Sequence, residues 1–158
     1  MQRIPITPRG YRRLEEDLRL HLEVLRPEVI IAIEEARAHG DISENSEFDA
    51  AKDRQAHIEG RIRYLEHKVT AAEVIDPSQL PPSDRVIFGA TVTLRDLENE
   101  DELVYQIVGT DESDVKNGLV SVTSPIGRAL VGRDLGDEVK VITPRGTREF
   151  EILKVVYI

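Results

Sequence analysis

Apolar residues recur at steps of three and four through the first half of the chain and at steps of two through the second, with prolines clustered between. In ITPRGYRRLEEDL, Thr7 is placed to cap a helix that begins at Pro8, where a missing backbone donor costs nothing, and acids fill the early turns. From there Tyr11, Leu14, Leu18, Leu22, Leu25, Val29, Ala32 and Ala36 form one narrow apolar stripe between charged residues. Pro27 interrupts it and should bend the helix, but the stripe resumes in register. After Gly40, the positions Phe48, Ala51, Gln55, Ile58, Ile62, Leu65, Val69 and Ala72 alternate steps of three and four, a heptad seam with Gln55 as its polar, register-setting member. Two such helices joined by a short loop must turn back on one another, which predicts an antiparallel coiled coil. At a rise of about 1.5 Å per residue, a first helix of about 30 residues projects roughly 45 Å.

DPSQLPPSDR, residues 76 to 85, ends the second helix with three prolines in short order, the signature of a linker. Beyond it ATVTLRDL, LVYQIVG, LVSVTS, DEVKVIT and REFEILKVVYI read as strands, with turns at Asn117-Gly118 and Pro144-Arg145-Gly146. SPIGRALVG fits either a short helix or a loop over one sheet face. The resulting fold class is α+β: a helical hairpin over residues 1–76, a linker over 77–84 and a β-rich domain over 85–158.

A length of 158 residues suits two small domains, and a net charge of −9 works against binding nucleic acid along a broad surface. Acids outnumber bases on both sides of Pro77, so neither half is a basic module. The absence of cysteine excludes disulfides and thiolate metal sites, and no apolar run has the length of a membrane span or the form of a signal peptide. These features fit a soluble protein of the cytoplasm, with no membrane partner.

Against that background HGDISENSEFDAAK, residues 39 to 52, stands out. Asp41 and Glu44 sit three positions apart at the tip of the predicted hairpin, and Glu47 and Asp49 follow almost at once. The plain reading is helix capping by Asp41, with Ser43 or Glu44 beside it. Yet several carboxylates without a basic residue in the loop repel one another, and a cation offsets that repulsion best. Magnesium takes about six oxygen ligands, so Asp41 and Glu44 alone would hold it weakly. The tip has the composition of half a metal site, completed only when another molecule brings the other half. Arg37 and Lys52, on the two helices just below, fit either an ordinary solvated face or contact with a phosphate chain. His39 fits a solvated or capping residue. No P-loop, zincin motif or serine elbow is present, and His21, His39, His57 and His67 lack metal-binding spacing.

GDISENSEFDAAK closely resembles the signature loop of the Gre transcript cleavage factors of bacterial RNA polymerase, and VIFGATVTL, VSVTSPIGRALVG and FEILKVVYI resemble their second domain. The resemblance covers essentially the whole chain. It implies an N-terminal coiled coil and an FKBP-like C-terminal domain that docks beside the polymerase secondary channel, while the stalk passes down the channel to the active site. There Asp41 and Glu44 match the family's essential acids, which help to hold a second magnesium and stimulate cleavage of the nascent RNA 3′ end in backtracked complexes. Arg37 and Lys52 match basic positions facing the RNA. Thr123, Ser124 and Pro125 match the segment implicated in docking on polymerase, although Ser-Pro is also an ordinary surface turn. Ile42 stands where leucine is commoner and Phe48 where tyrosine is frequent, which removes a hydroxyl. The stalk lacks a large basic patch, as in the GreA branch. The protein is then a monomeric activator rather than an enzyme. The alternatives are a non-cleaving regulator or inhibitor that occupies the channel and, on fold analogy alone, a peptidyl-prolyl isomerase, for which a chain with 4% aromatic residues offers poor pocket walls.

Overall fold

A computed structural model describes residues 2–40 and 45–158. Contacts divide the chain into two units: Tyr11–Ala72 in one, and Arg3–Gly10 together with Glu73–Ile158 in the other.

The helical unit is built on α1 (Pro8–Leu20), α2 (Arg26–Ala38) and α3 (Ser46–Ala71). The helix starts where the sequence places it: Thr7 Oγ1 accepts from the Gly10 N–H at 3.2 Å. Between α1 and α2 the chain does not break. One π-helical turn spans His21–Leu25, with the Arg26 N–H reaching His21 O. Pro27 has no N–H to offer the preceding turn, and its ring crowds a carbonyl there; a widened turn accommodates both defects. The stripe keeps its register across that turn at Val29 and Ala36, and Ile33 is added to it. Val29, Ile33 and Ala36 are buried beyond it, whereas Ala32 is only half-buried.

On α3 every position of the heptad seam is buried or half-buried. Ile58 and Ile62 form a cluster with Val29, against which Leu18, Leu22 and Leu25 pack. Side-chain bonds across the hairpin show the direction of pairing. Arg61 meets Asp17 at 2.8 Å, Arg26 meets Glu59 through two bonds of 2.8 and 2.7 Å, and Asn45 Nδ2 donates to Ala36 O at 2.5 Å. As one partner's number rises the other's falls, so the hairpin is antiparallel.

The second unit carries a five-stranded sheet of β3 (Thr91–Asp96), β4 (Glu102–Val108), β5 (Leu119–Ser121), β6 (Glu138–Thr143) and β7 (Gly146–Val156), in the order β5-β4-β3-β7-β6. These are the five strands of the period-two pattern. Neighbours are antiparallel except β4 and β5, and registers such as Leu94↔Leu103 and Val139↔Phe150 put apolar residues on a shared face. Val92, Leu94, Ile107, Val120, Val141, Phe150 and Ile152 build the core, and Leu130 of α4 (Pro125–Leu130) joins it. The segment SPIGRALVG is therefore a short helix. Gly127 explains its seat, since a Cβ there would lie 2.1 Å from Ser121 O.

A small sheet pairs β1 (Ile4–Ile6) with β2 (Ala72–Val74), continued by the Ile75 N–H donating to Ile6 O at 2.8 Å. Three-residue strands are too short for a period to show in sequence. The proline segment opens with a 3-10 turn at Pro77–Gln79, where Asp76 accepts from the Ser78 N–H at 3.0 Å. By Asp84 the chain is hydrogen-bonded to the β unit through the Leu135 N–H.

Candidate functional site

The hairpin end is built from two helix terminations. Gly40 (φ +105) closes α2 in the left-handed region that favours glycine, with the His39 N–H donating to Ala36 O at 3.2 Å and the Gly40 N–H to Arg37 O at 3.4 Å. Asn45 caps α3: its Oδ1 accepts from the Phe48 N–H at 3.1 Å while its Nδ2 donates to Ala36 O. One side chain thus closes one helix and ties it to the last turn of the other. The capping role considered for Asp41 is filled by Asn45. Asp41 and Glu44 themselves, with Ile42 and Ser43, lie outside the described residues.

The residues bracketing that segment are arranged as follows. His39 Nδ1 stands 3.1 Å from Glu47 Oε2, both well exposed, so His39 is the helix C-cap and a surface partner of Glu47. The Arg37 guanidinium lies over the Phe48 ring, 6.0 Å from its centroid. Lys52 donates to Gln55 Oε1 at 3.1 Å. Arg37 and Lys52 are both exposed, and these contacts, made among the described residues, are to neutral groups. Among the described residues no group of three or more histidines and carboxylates is placed to hold a metal.

Thr123, Ser124 and Pro125 lie between β5 and α4. Ser124 caps α4, accepting from the Gly127 N–H at 3.1 Å and donating to Ser121 O at 2.6 Å, and Pro125 is the first residue of the helix. Thr123 stands outside it: its N–H donates to Ser121 Oγ at 3.1 Å, and its hydroxyl lies 2.8 Å from Ser121 Oγ and 3.3 Å from Thr110 Oγ1. Ser124 and Pro125 reach the lip of a groove of about 280 Å³ whose walls include Tyr105, Val120, Ile126, Val141 and Phe150, with Arg148 among the lining residues. Thr123 does not line it. Nothing in the sequence signals this groove, because its walls come from four separate strands and a helix. Its aromatic walls are Tyr105, half-buried, and Phe150, only 1% exposed.

Comparison with known proteins matches both parts. Residues 4–74 match the family described as transcription elongation factor, N-terminal, and residues 81–157 the family described as transcription elongation factor, GreA/GreB, C-terminal. The chain is 52% identical over 158 residues to transcription elongation factor GreA of Neisseria meningitidis serogroup B, covering all of both chains. It is 54% identical over 157 residues to the GreA of Hyphomonas neptunium, covering 99% of each. Among solved structures, GreA factor homolog 1 of Thermus thermophilus is 29% identical over 98% of this chain and 99% of that one, with a TM-score of 0.45. Matched in both of its parts and along its full length, the chain belongs to the GreA/GreB family of transcription elongation factors.

Proposed function

We propose that this elongation factor binds bacterial RNA polymerase, carries its hairpin end through the secondary channel and stimulates the polymerase's own cleavage of the nascent RNA 3′ end in backtracked complexes. The observation that carries the reading is the cap of α3. Asn45 performs the capping that was the plain explanation for an acid at Asp41, which leaves the acids of the tip available for chemistry.

The donor set at the tip, two carboxylates, fits a magnesium ion only as a minority of its ligands. Asp41 and Glu44 would hold a magnesium shared with the polymerase and orient the attacking water by accepting its proton bond. Such a metal supplies Lewis-acid stabilisation of the phosphoryl oxygens and lowers the pKa of bound water. Arg37 and Lys52 would meet the phosphates of the extruded RNA, and the segment of Thr123, Ser124 and Pro125 would dock on polymerase beside the apolar groove. The factor donates part of a site and is not itself the catalyst. It acts as a monomer in the cytoplasm, where its partner works.

The test uses stalled, backtracked elongation complexes at fixed magnesium, with wild type, Asp41→Ala and Glu44→Ala. Wild type is expected to shorten the RNA from its 3′ end, while each variant binds polymerase and loses at least about a hundredfold in cleavage rate, as expected when a group acting only in the transition state is removed. If wild type fails to cleave and both wild type and variants slow elongation, the hairpin is a plug, and the non-cleaving reading replaces this one.

A further inference from the structure

Two polar contacts cross between the last turn of α2 and the first turn of α3, and they differ in kind. His39 and Glu47 are both exposed, and a surface pair of that sort holds little together. Asn45 is half-buried and bonds to backbone on both sides: its Oδ1 accepts from the Phe48 N–H at 3.1 Å, and its Nδ2 donates to Ala36 O at 2.5 Å. Ala36 is 3% exposed, and its carbonyl also receives the His39 N–H at 3.2 Å. The amide therefore fills the second acceptor position of a carbonyl on a buried residue.

Capping alone does not call for asparagine, because aspartate and serine cap helix N-termini about as well. What the amide adds is a donor in the same plane as the acceptor. An ionised carboxylate has no donor to give, and a hydroxyl is one bond shorter. Among the good caps, asparagine alone can close α3 and clasp α2 with one side chain. Its place in the chain gives that clasp a consequence: Asn45 directly follows Glu44, and Gly40, at the end of α2, directly precedes Asp41. The two acids are carried between the helix ends that Asn45 joins.

We propose that Asn45 is a positioning residue for transcript cleavage: its bond to Ala36 O holds at one fixed separation the two helix ends between which Asp41 and Glu44 are carried. The proposal rests on the cleavage reading above, and every contact it uses lies within the helical unit. A site on a connecting segment is only as precise as the elements that support it. Displacement of a reacting group by about 1 Å costs on the order of a hundredfold in rate.

The full-length protein tests this with three variants. Asn45→Ser keeps an uncharged cap and loses the amide donor, Asn45→Asp keeps size and cap but has no donor, and Asn45→Ala loses both. RNA cleavage in backtracked complexes is measured against factor concentration at fixed magnesium, with amide exchange at Phe48 recorded on the free proteins. Asn45→Ser and Asn45→Asp are expected to lower the saturating rate at least about tenfold, with the half-saturating concentration and the exchange at Phe48 each within about threefold of wild type. Asn45→Ala should lose rate to the same extent but exchange faster at Phe48. A wild-type saturating rate in Asn45→Ser or Asn45→Asp would overturn the positioning role and leave the cleavage reading intact. So would rates that fall only in step with faster exchange at Phe48, since the cap and not the clasp would then set them. If wild type does not cleave, the cleavage reading falls and the positioning role falls with it.

Discussion

Two acids of the β unit are buried: Glu112 is held by neutral donors, the Gly109 and Thr7 N–H groups and the Thr7 hydroxyl, whereas Asp96, 3% exposed at the end of the core face of β3, is held by a cation. Arg148 donates to it at 2.7 Å while lying over the Phe150 ring at 4.9 Å, and the Glu98 N–H adds a bond of 2.9 Å. Chiefly through Arg148, these partners hold the Asp96 carboxyl below its ordinary range against the opposing effect of desolvation. Glu59 is lowered in the same sense by Arg26 in the helical unit. A folded-state pKa below the unfolded one means that the folded protein binds fewer protons. The stabilisation is therefore present above pH about 4 and is lost as pH falls through the folded value. Asp96→Asn should lower the unfolding midpoint at pH 7 and give a shallower loss of stability below pH about 4, read from urea unfolding at a series of pH values. An unchanged acid slope would remove Asp96 from the account. None of this was legible in sequence, since Asp96 and Arg148 meet only because β3 and β7 are neighbours. Asn45 was missed for a different reason: Asp41, Ser43 and Asn45 all suit a cap, and only the actual helix start chooses between them.

Elements were the most legible level, because repetition averages out local accidents. The α3 seam is buried at Ala51, Ile58, Ile62 and Leu65 and half-buried at Phe48, Gln55 and Val69, and only at its end does it slip, where Ala71 rather than Ala72 is buried; the consequence is measurable. Leu65, fully buried, should lose about 2–5 kcal/mol on substitution by alanine, whereas Ile31, 54% exposed on α2, should change by less than about 1 kcal/mol. Asn45→Ala should cost about 1 kcal/mol by loss of the cap. Thermal unfolding of the three variants orders them, and a Leu65→Ala loss as small as that of Ile31→Ala would contradict the seam. What repetition does not encode was lost. Pro27 marks a defect but not whether the helix kinks or widens, and the structure answers with a π turn, beyond which Ile33 is buried together with Val29 and Ala36. The helix at Pro125–Leu130 was left open between helix and loop because six residues hold too little period to decide; the Ser124 cap and the close approach of Gly127 to Ser121 decide it.

At the scale of the molecule, the change of period from 3.6 to 2 divides the sequence near the prolines, and the contacts divide it at Ala72. The acids of the tip lie outside the described residues, and their reading rests on charge repulsion and a resemblance that point to the same positions, while the groove, assembled from distant strands, has no sign in the sequence. The least visible feature is that Arg3–Gly10 belong with the β unit. In the sequence they merely precede a helix, and a cap with a proline reads as the start of the hairpin. In the structure Ile6 is buried and its carbonyl accepts from Ile75, while Thr7 supplies two donors to Glu112. Ile6→Ala should therefore destabilise the β unit by about 2–4 kcal/mol, the cost of deleting a buried isoleucine side chain, and should spare the hairpin. Units that open separately report their own stabilities in amide exchange. The expected result is faster exchange in β3 and β7 with no change at Ile58–Leu65 in α3. Faster exchange in α3 with a silent sheet would assign the first residues to the hairpin.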